Sequence, residues 1–496
     1  MRRTLRRAQV VGRAGLSSVV LSGSKIADIR PEPAEPADGA VVDLGGAVVT
    51  PAFVDAHVHL TQTGLMRSSL DLRSATSREQ VLDAVAAAAA GGAVLGGGWD
   101  EYRWPDPGPP NVAELQRAAG QDAIVWLARV DGHSSIVSRA LLAAAPELTE
   151  LPGYSSSGWL RAAANSRARQ IALAALTMEQ RRRAQLAALD AAAAVGIGCV
   201  HEMASPELSG VEDLAEALGV DHPVAVIGYW GELNGTATAA RLGAAGAAGD
   251  LSCDGSVGSR TAWFTAPYRG SADHGMSYLD ADQVAGHVLA CTTAGLQAGF
   301  HAIGDAAVAA VVEGTERAAQ VNLAVRAAGH RIEHAELVDD ARRLTATGLI
   351  ASVQPAFDAA WGGPDGMYAD RLGADRAARM NDLAGLAAAG VPLAFGSDSP
   401  VTPLDPWGAV RAAAHPHHPA SALSVEAAFE AHTRGGWLAA RRPGGVLAPG
   451  APATLAVWQV ESTGPCGLPD IAPGRDLPRC LATLVDGRIA FDVGLF

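Results

Sequence analysis

Short apolar runs that close in polar residues recur along the chain, at 53–59, 196–202, 224–230, 251–254, 298–304, 331–336, 350–355 and 392–398. Ala-rich stretches with helical character separate them. One of these opens on Asp280 and Gln283 as a capping box, continues through QVAGHVLACTTA and stops at Gly295. Strands that alternate with helices are the signature of a parallel sheet or barrel. Eight such runs predict an α/β fold, a (β/α)8 barrel of the TIM type.

The count of eight holds only if residues 61–175 are set aside. That segment carries two further strand-like runs, AVLGGGWDE and AIVWLARVDGH, and reads as an insertion subdomain after the first barrel strand. The two ends have another character. Residues 1–50 read as short strands and turns, with Pro31, Pro33 and Pro36 as a linker, and residues 446–496 repeat the pattern in ATLAVWQV and CLATLVDGRIAF. The expected organisation is a small β-sandwich from 1–50 and 446–496, with the barrel over 51–445.

Composition narrows the setting. A length of 496 residues suits a large barrel with an appendage, and 49% hydrophobic with 18% charged residues is ordinary for a substantial core. A formal net charge of −14 without a basic stripe argues against nucleic acid as a partner. No window is long and apolar enough to span a membrane, and Gly12, Arg13 and Gly15 interrupt the basic start before it can form a signal-peptide core. Cys199, Cys253, Cys291, Cys466 and Cys480 are scattered and odd in number, which fits a reducing cytoplasm. The expected partner is a small-molecule substrate; the oligomeric state is open, a homo-oligomer included.

The chemistry gathers at strand ends. VVTPAFVDAHVHL closes in His57 and His59, GFHAIGD holds His301, RIEHAEL holds His334 and AFGSDSP holds Asp398. Residues two apart on a strand share a face, so His57 and His59 can grip one ion together. Imidazoles with a carboxylate suit one divalent first-row metal, zinc first among them. In a (β/α)8 barrel the active site lies at the C-terminal mouth, where these residues fall. His57, His59, His301 and Asp398 make a sufficient ligand set, with His334 either a ligand or a contact to the water or the substrate carbonyl. A second histidine cluster, His415, His417 and His418, sits in a Pro-rich stretch with no apolar run before it and reads as rim. His201 and Glu202 read as hydrogen-bonding residues of a helix or loop.

The order His-x-His, His, His, Asp resembles the amidohydrolase superfamily, metal-dependent hydrolases on a (β/α)8 barrel. GWDEYRWPD (98–106), ARVDGHSSIVSRAL (128–141), DGSVGSRTA (254–262) and GFHAIGDAAV (299–308) are together similar to its amidohydrolase-3, YtcJ-like branch, which includes N-substituted formamide deformylase-like enzymes. The resemblance implies a metal-activated water attacking a non-peptide C–N bond of an N-acyl or N-formyl amide, with Asp398 as general base. A deaminase or cyclic-amide hydrolase with the same centre is the alternative, and a non-catalytic binder a remoter one. Trp99, Asp100 and His133 are candidates to line the substrate pocket from the insertion, Arg260 to bind a substrate carboxylate, and Gln354 to touch the substrate. Many relatives carry, four residues before the Asp-Gly-Ser phrase, a lysine whose carbamate bridges two metals. Here that position is Asp250, and the chain's single lysine is Lys25. A carbamate bridge is therefore excluded; Asp250 is shorter than a carbamylated lysine, and one metal is expected.

Overall fold

The computed structural model describes residues 2–33, 39–68, 70–89, 94–174, 176–464 and 466–496. Eight parallel strands form a barrel: β1 (Phe53–Val58), β2 (Ile197–Ala204), β3 (Ala225–Trp230), β4 (Gly246–Ala247), β5 (Gln297–Ala302), β6 (Arg331–His334), β7 (Ile350–Val353) and β8 (Leu393–Phe395). Each pairs in parallel with the next in chain order. The ring closes just beyond the ends of β8 and β1. There Asp398 N–H donates to His57 O (2.8 Å) and His59 N–H to Ser399 O (2.9 Å). Closure of the barrel and placement of three candidate site residues are thus the same event.

Strand β4 is not where the hydrophobic pattern put it. The pairing residues are Gly246 and Ala247, and the apolar run 251–254 lies past the strand end, where Cys253 N–H donates to His301 O (2.9 Å). A Cβ at Gly246 would meet Gln297 O at 2.5 Å, so this close approach selects glycine and leaves no hydrophobic run to recognise. Other local signals hold. The helix Ala281–Thr293 begins with the Asp280–Gln283 capping box, and Gly295 turns away behind it with φ 72°.

Both termini combine in one β unit. Val48–Pro51 from the N-terminal part pairs antiparallel with Leu455–Gln459 from the C-terminal part, within an eight-stranded sheet. Its own core includes Leu5, Val19, Ile26, Val49, Leu455 and Leu484. After β1 the chain builds a second, five-stranded sheet, from Leu70–Asp71 at one edge to Trp159–Arg161 at the other, before returning to β2. Among the described residues no helix is long and apolar enough to cross a membrane.

The barrel interior holds a buried ion pair beneath its mouth. Arg331 Nε donates to Glu333 Oε1 (2.7 Å) and its Nη2 to Ala56 O (2.7 Å), while Nη1 meets His201 Nδ1 at 2.9 Å. The guanidinium also lies over the Tyr229 ring, 4.6 Å from its centroid. Removing one member of a buried pair strands the other's charge. Arg331→Met should therefore lower unfolding stability by about 3–5 kcal/mol, read from the urea midpoint of the purified variant.

Candidate metal centre

Four imidazoles and two carboxylates converge at the C-terminal mouth. Asp398 Oδ1 lies 3.1 Å from His59 Nε2 and 3.5 Å from His57 Nε2. Asp250 reaches all four rings: Oδ2 is 3.2 Å from His59 Nε2, and Oδ1 is 3.4 Å from His57 Nε2, 3.7 Å from His301 Nδ1 and 3.8 Å from His334 Nε2. The short side chain of Asp250 was no obstacle, because β4 ends early and the bend at Gly249 (φ 91°) carries the next residue over the mouth.

Backbone conformation helps aim the ligand candidates. His334 has φ 71° and Asp398 φ 53°, left-handed values that non-glycine residues rarely adopt. Alternation along β6 puts Arg331 and Glu333 on one face, toward the barrel axis, and would send His334 the other way. The left-handed turn at His334 brings its ring back to the mouth.

The far side of three rings fixes their tautomers. His59 Nδ1 faces Met203 O at 3.0 Å, His334 Nδ1 faces Gln354 Oε1 at 2.8 Å, and His57 Nδ1 faces Glu333 Oε2 at 3.1 Å. These oxygens only accept, so each Nδ1 carries a proton and a neutral ring presents its Nε2 lone pair to the carboxylates. Lone pairs facing carboxylate oxygens repel unless positive charge lies between them. His57 Nε2, Asp250 Oδ1 and Asp398 Oδ1 are buried and have no hydrogen-bond partner among the described residues. Two overlapping triads have the spacing of a cation site, His57–His59–Asp398 and His57–Asp250–His334. The donor set, nitrogen and oxygen with each imidazole oriented from behind, fits a divalent first-row ion.

Electrostatics agree with that demand for positive charge. Burial opposes charge on Asp250 and Asp398, but His57 and the neighbouring rings outweigh it and hold both carboxyls below their usual range, Asp250 well below. Burial would likewise lower His59, yet Asp250 and Asp398 lift it to about 10. The two carboxylates that raise His57 and His59 in this way would equally stabilise a divalent cation between them.

The site floors a cavity of about 580 Å³ between the barrel mouth and the inserted sheet. His133 lines it, its ring centroid 5.0 Å from that of His301. Burial first, and the His301 charge next, lower the His133 imidazole to about 3, so it faces the site neutral. The other substrate-binding candidates have different surroundings. Trp99 is fully buried in the inserted sheet's core against Trp104 and Trp159, its Nε1–H donating to Leu127 O (2.9 Å). Asp100 is taken by Arg129 at 2.7 Å, in a cluster that includes Glu101 and Asp131. Arg260 occupies a turn with φ 55° and is absent from the cavity wall. Gln354 touches His334, with no place on that wall. Trp99→Ala should accordingly cost about 3–5 kcal/mol of stability while leaving metal content unchanged, which calorimetry and elemental analysis of one preparation would show.

Residues outside the ligand set fall into place. The Asp-Gly-His phrase docks on the Asp-Gly-Ser phrase: Ser256 Oγ and Ser259 Oγ donate to Asp131 Oδ2 at 2.7 and 2.9 Å. Glu202 Oε2 accepts the Leu60 N–H (2.7 Å) at the start of the helix Leu60–Ser68. His417 stays apart from the site, its N–H donating to Asp358 Oδ2 (2.9 Å). Asp405, a few residues beyond Asp398, caps the helix Pro406–Ala414 by accepting from Gly408 N–H at 3.0 Å.

Fold and site define a class: a barrel protein that gathers imidazoles and carboxylates with the spacing of a cation site at the C-terminal mouth, beneath a large cavity. The family model described as the amidohydrolase family matches residues 40–491, and the chain belongs to that family. It is 29% identical over 422 residues to the protein LONG AFTER FAR-RED 3 of Arabidopsis thaliana, covering 76% of this chain and 70% of that one. It is 25% identical over 409 residues to YtcJ of Bacillus subtilis (strain 168), covering 75% and 74%. Among solved structures, an uncharacterized metal-dependent hydrolase from Pyrococcus furiosus shares the fold, with a TM-score of 0.72 at 24% identity over 92% of this chain and 98% of that one.

Proposed function

We propose that the protein hydrolyses a non-peptide C–N bond of a small amide, N-acyl or N-formyl, with one divalent metal, zinc by its donor set. The observation that carries this reading is the convergence of three oriented Nε2 atoms on two carboxylates whose inward oxygens lack partners. His57, His59, Asp398 and Asp250 would hold the ion, with His301 and His334 beside them. When bound there, a divalent cation would supply a water of lowered pKa and a polarised carbonyl.

The chain's own groups do the rest. Asp398, with Oδ1 turned to His57 and His59, keeps Oδ2 to take a proton from the attacking water and return it to the leaving nitrogen. The carbonyl carbon gains the water oxygen, the C–N bond breaks, and acid and amine leave. Met203 O, Gln354 and Glu333 hold the imidazoles in the tautomer the ion needs. His133, neutral and packed on His301, faces the substrate space. The inserted sheet roofs the cavity and limits the water that reaches the site.

The test is metal content by elemental analysis, together with turnover of N-formyl, N-acetyl and cyclic amides by the same preparation. Release of formate or acetate that chelator abolishes and zinc restores supports the reading. Bound metal with no turnover of any member would sink it and leave a binding protein. Release of ammonia alone would move the reading to a deaminase.

A further inference from the structure

Four arginines are buried among the described residues: Arg129, Arg169, Arg181 and Arg331. Three face carboxylates. Arg129 has Asp100, Glu101 and Asp131, Arg181 has Asp213, and Arg331 has Glu333. Arg169 has no carboxylate within ion-pair distance among the described residues, and its described side-chain hydrogen bond goes to the carbonyl of Gly132. A guanidinium stays charged at any working pH, and a buried charge without a counter-ion is costly. The acids that Arg169 senses from a distance are committed elsewhere: Asp131 to Arg129, Ser256 and Ser259, and Asp250 to the imidazoles. Glu207, the third, is exposed at the rim.

Arg169 lines the same cavity as His59, Asp250, His301 and His334. The link to the metal centre is short, since Gly132 accepts from Arg169 and the next residue, His133, packs on His301. One turn earlier on the helix Ala162–Ala174, Asn165 Nδ2 donates to the same Gly132 carbonyl (3.0 Å), while its buried Oδ1 has no partner. Residues four apart share a helix face, so Arg169 and Asn165 present a cation and an unused acceptor side by side. Leu65, Leu95, Trp126 and Leu151 make the wall beyond them apolar.

We infer that Arg169 is the counter-charge for an anionic group of the substrate, so that the enzyme selects small amides carrying a carboxylate close to the scissile C–N bond. This rests on the hydrolase reading above and adds the substrate's charge to it. Of the three arginines on the cavity wall, Arg129 and Arg167 have carboxylate partners, and Arg169 has none within ion-pair distance among the described residues. The planar guanidinium matches a carboxylate through two parallel hydrogen bonds. Asn165 Oδ1 accepts an N–H of the same molecule, and the apolar wall takes its hydrocarbon part. Arg169 thereby fills the role that the sequence offered to Arg260.

Calorimetric titration of the full, metal-containing chain with phenylacetate and with phenylacetamide separates charge from shape. The acid should bind about ten- to a hundredfold more tightly. Arg169→Met, with unchanged metal content, should erase the difference, and Arg169→Lys should keep part of it. In turnover, N-formylphenylalanine should be preferred over its carboxamide by a similar factor in kcat/KM, and Arg169→Met should abolish that preference. Equal binding of the two probes by the wild-type protein, which needs no variant to fold, would overturn the inference. So would a preference that survives in Arg169→Met, because the metal would then be holding the acid. An Arg169-dependent preference in binding without turnover of any amide would support the anion site while sinking the hydrolase reading.

Discussion

His57→Ala or His59→Ala should strip the metal and reduce kcat/KM by at least about a thousandfold, the scale of losing a principal electrostatic stabiliser, while the barrel stays folded. Both rings present Nε2 to Asp250 and Asp398, and neither vacated position has a substitute donor at the same angle. The packed core that holds the barrel lies around Phe53, Val200, Phe300, Ile332 and Phe395, outside the ligand set. Losing His57 also leaves Glu333 Oε2 without its imidazole, a cost of about 1–3 kcal/mol that Arg331 softens by keeping its own two bonds to that carboxylate. Elemental analysis, circular dichroism and turnover on one preparation check all three claims. A variant with full metal and full activity would remove the foundation of the site.

The residues most easily read from sequence were those whose position depends on strand order alone. His57, His59, His301, His334 and Asp398 close apolar runs, and closing a parallel barrel brings strand ends together whatever the loops do. Residues whose role depends on how two elements meet were harder. Asp250 follows an Ala- and Gly-rich segment with no strand pattern, and only the two-residue length of β4 shows that its carboxylate arrives at the mouth. Glu333 stood inside the quoted phrase RIEHAEL, and period-two alternation already put it beside Arg331, facing the barrel axis. Trp99 and Asp100 are a different case. One packs the inserted sheet and the other completes the Arg129 cluster, both duties of structure. Arg169 sits in an Ala-rich helix with nothing in its neighbourhood to mark it, and only the count of buried carboxylates around it sets it apart.

Elemental analysis of carefully purified protein should find one tightly held metal per chain, with activity indifferent to added bicarbonate. Two triads have cation spacing, but both draw on His57. Its Nδ1 is engaged by Glu333, so Nε2 has one lone pair to give and cannot serve two ions. The carbamate that would bridge a pair needs a lysine at the mouth, and the single lysine, Lys25, lies in a strand of the terminal sheet. Asp250 touches both triads and therefore acts on whichever position is filled. Asp250→Asn keeps the shape and removes a ligand's charge, so it should weaken metal affinity by more than the about ten- to a hundredfold that follows loss of an outer partner of a metal ligand. Chelator competition reads that affinity directly. Two tightly bound equivalents in the wild type, with one lost in Asp250→Asn, would show instead that this carboxylate bridges a pair, with His301 and His334 supplying the second ion in place of His57.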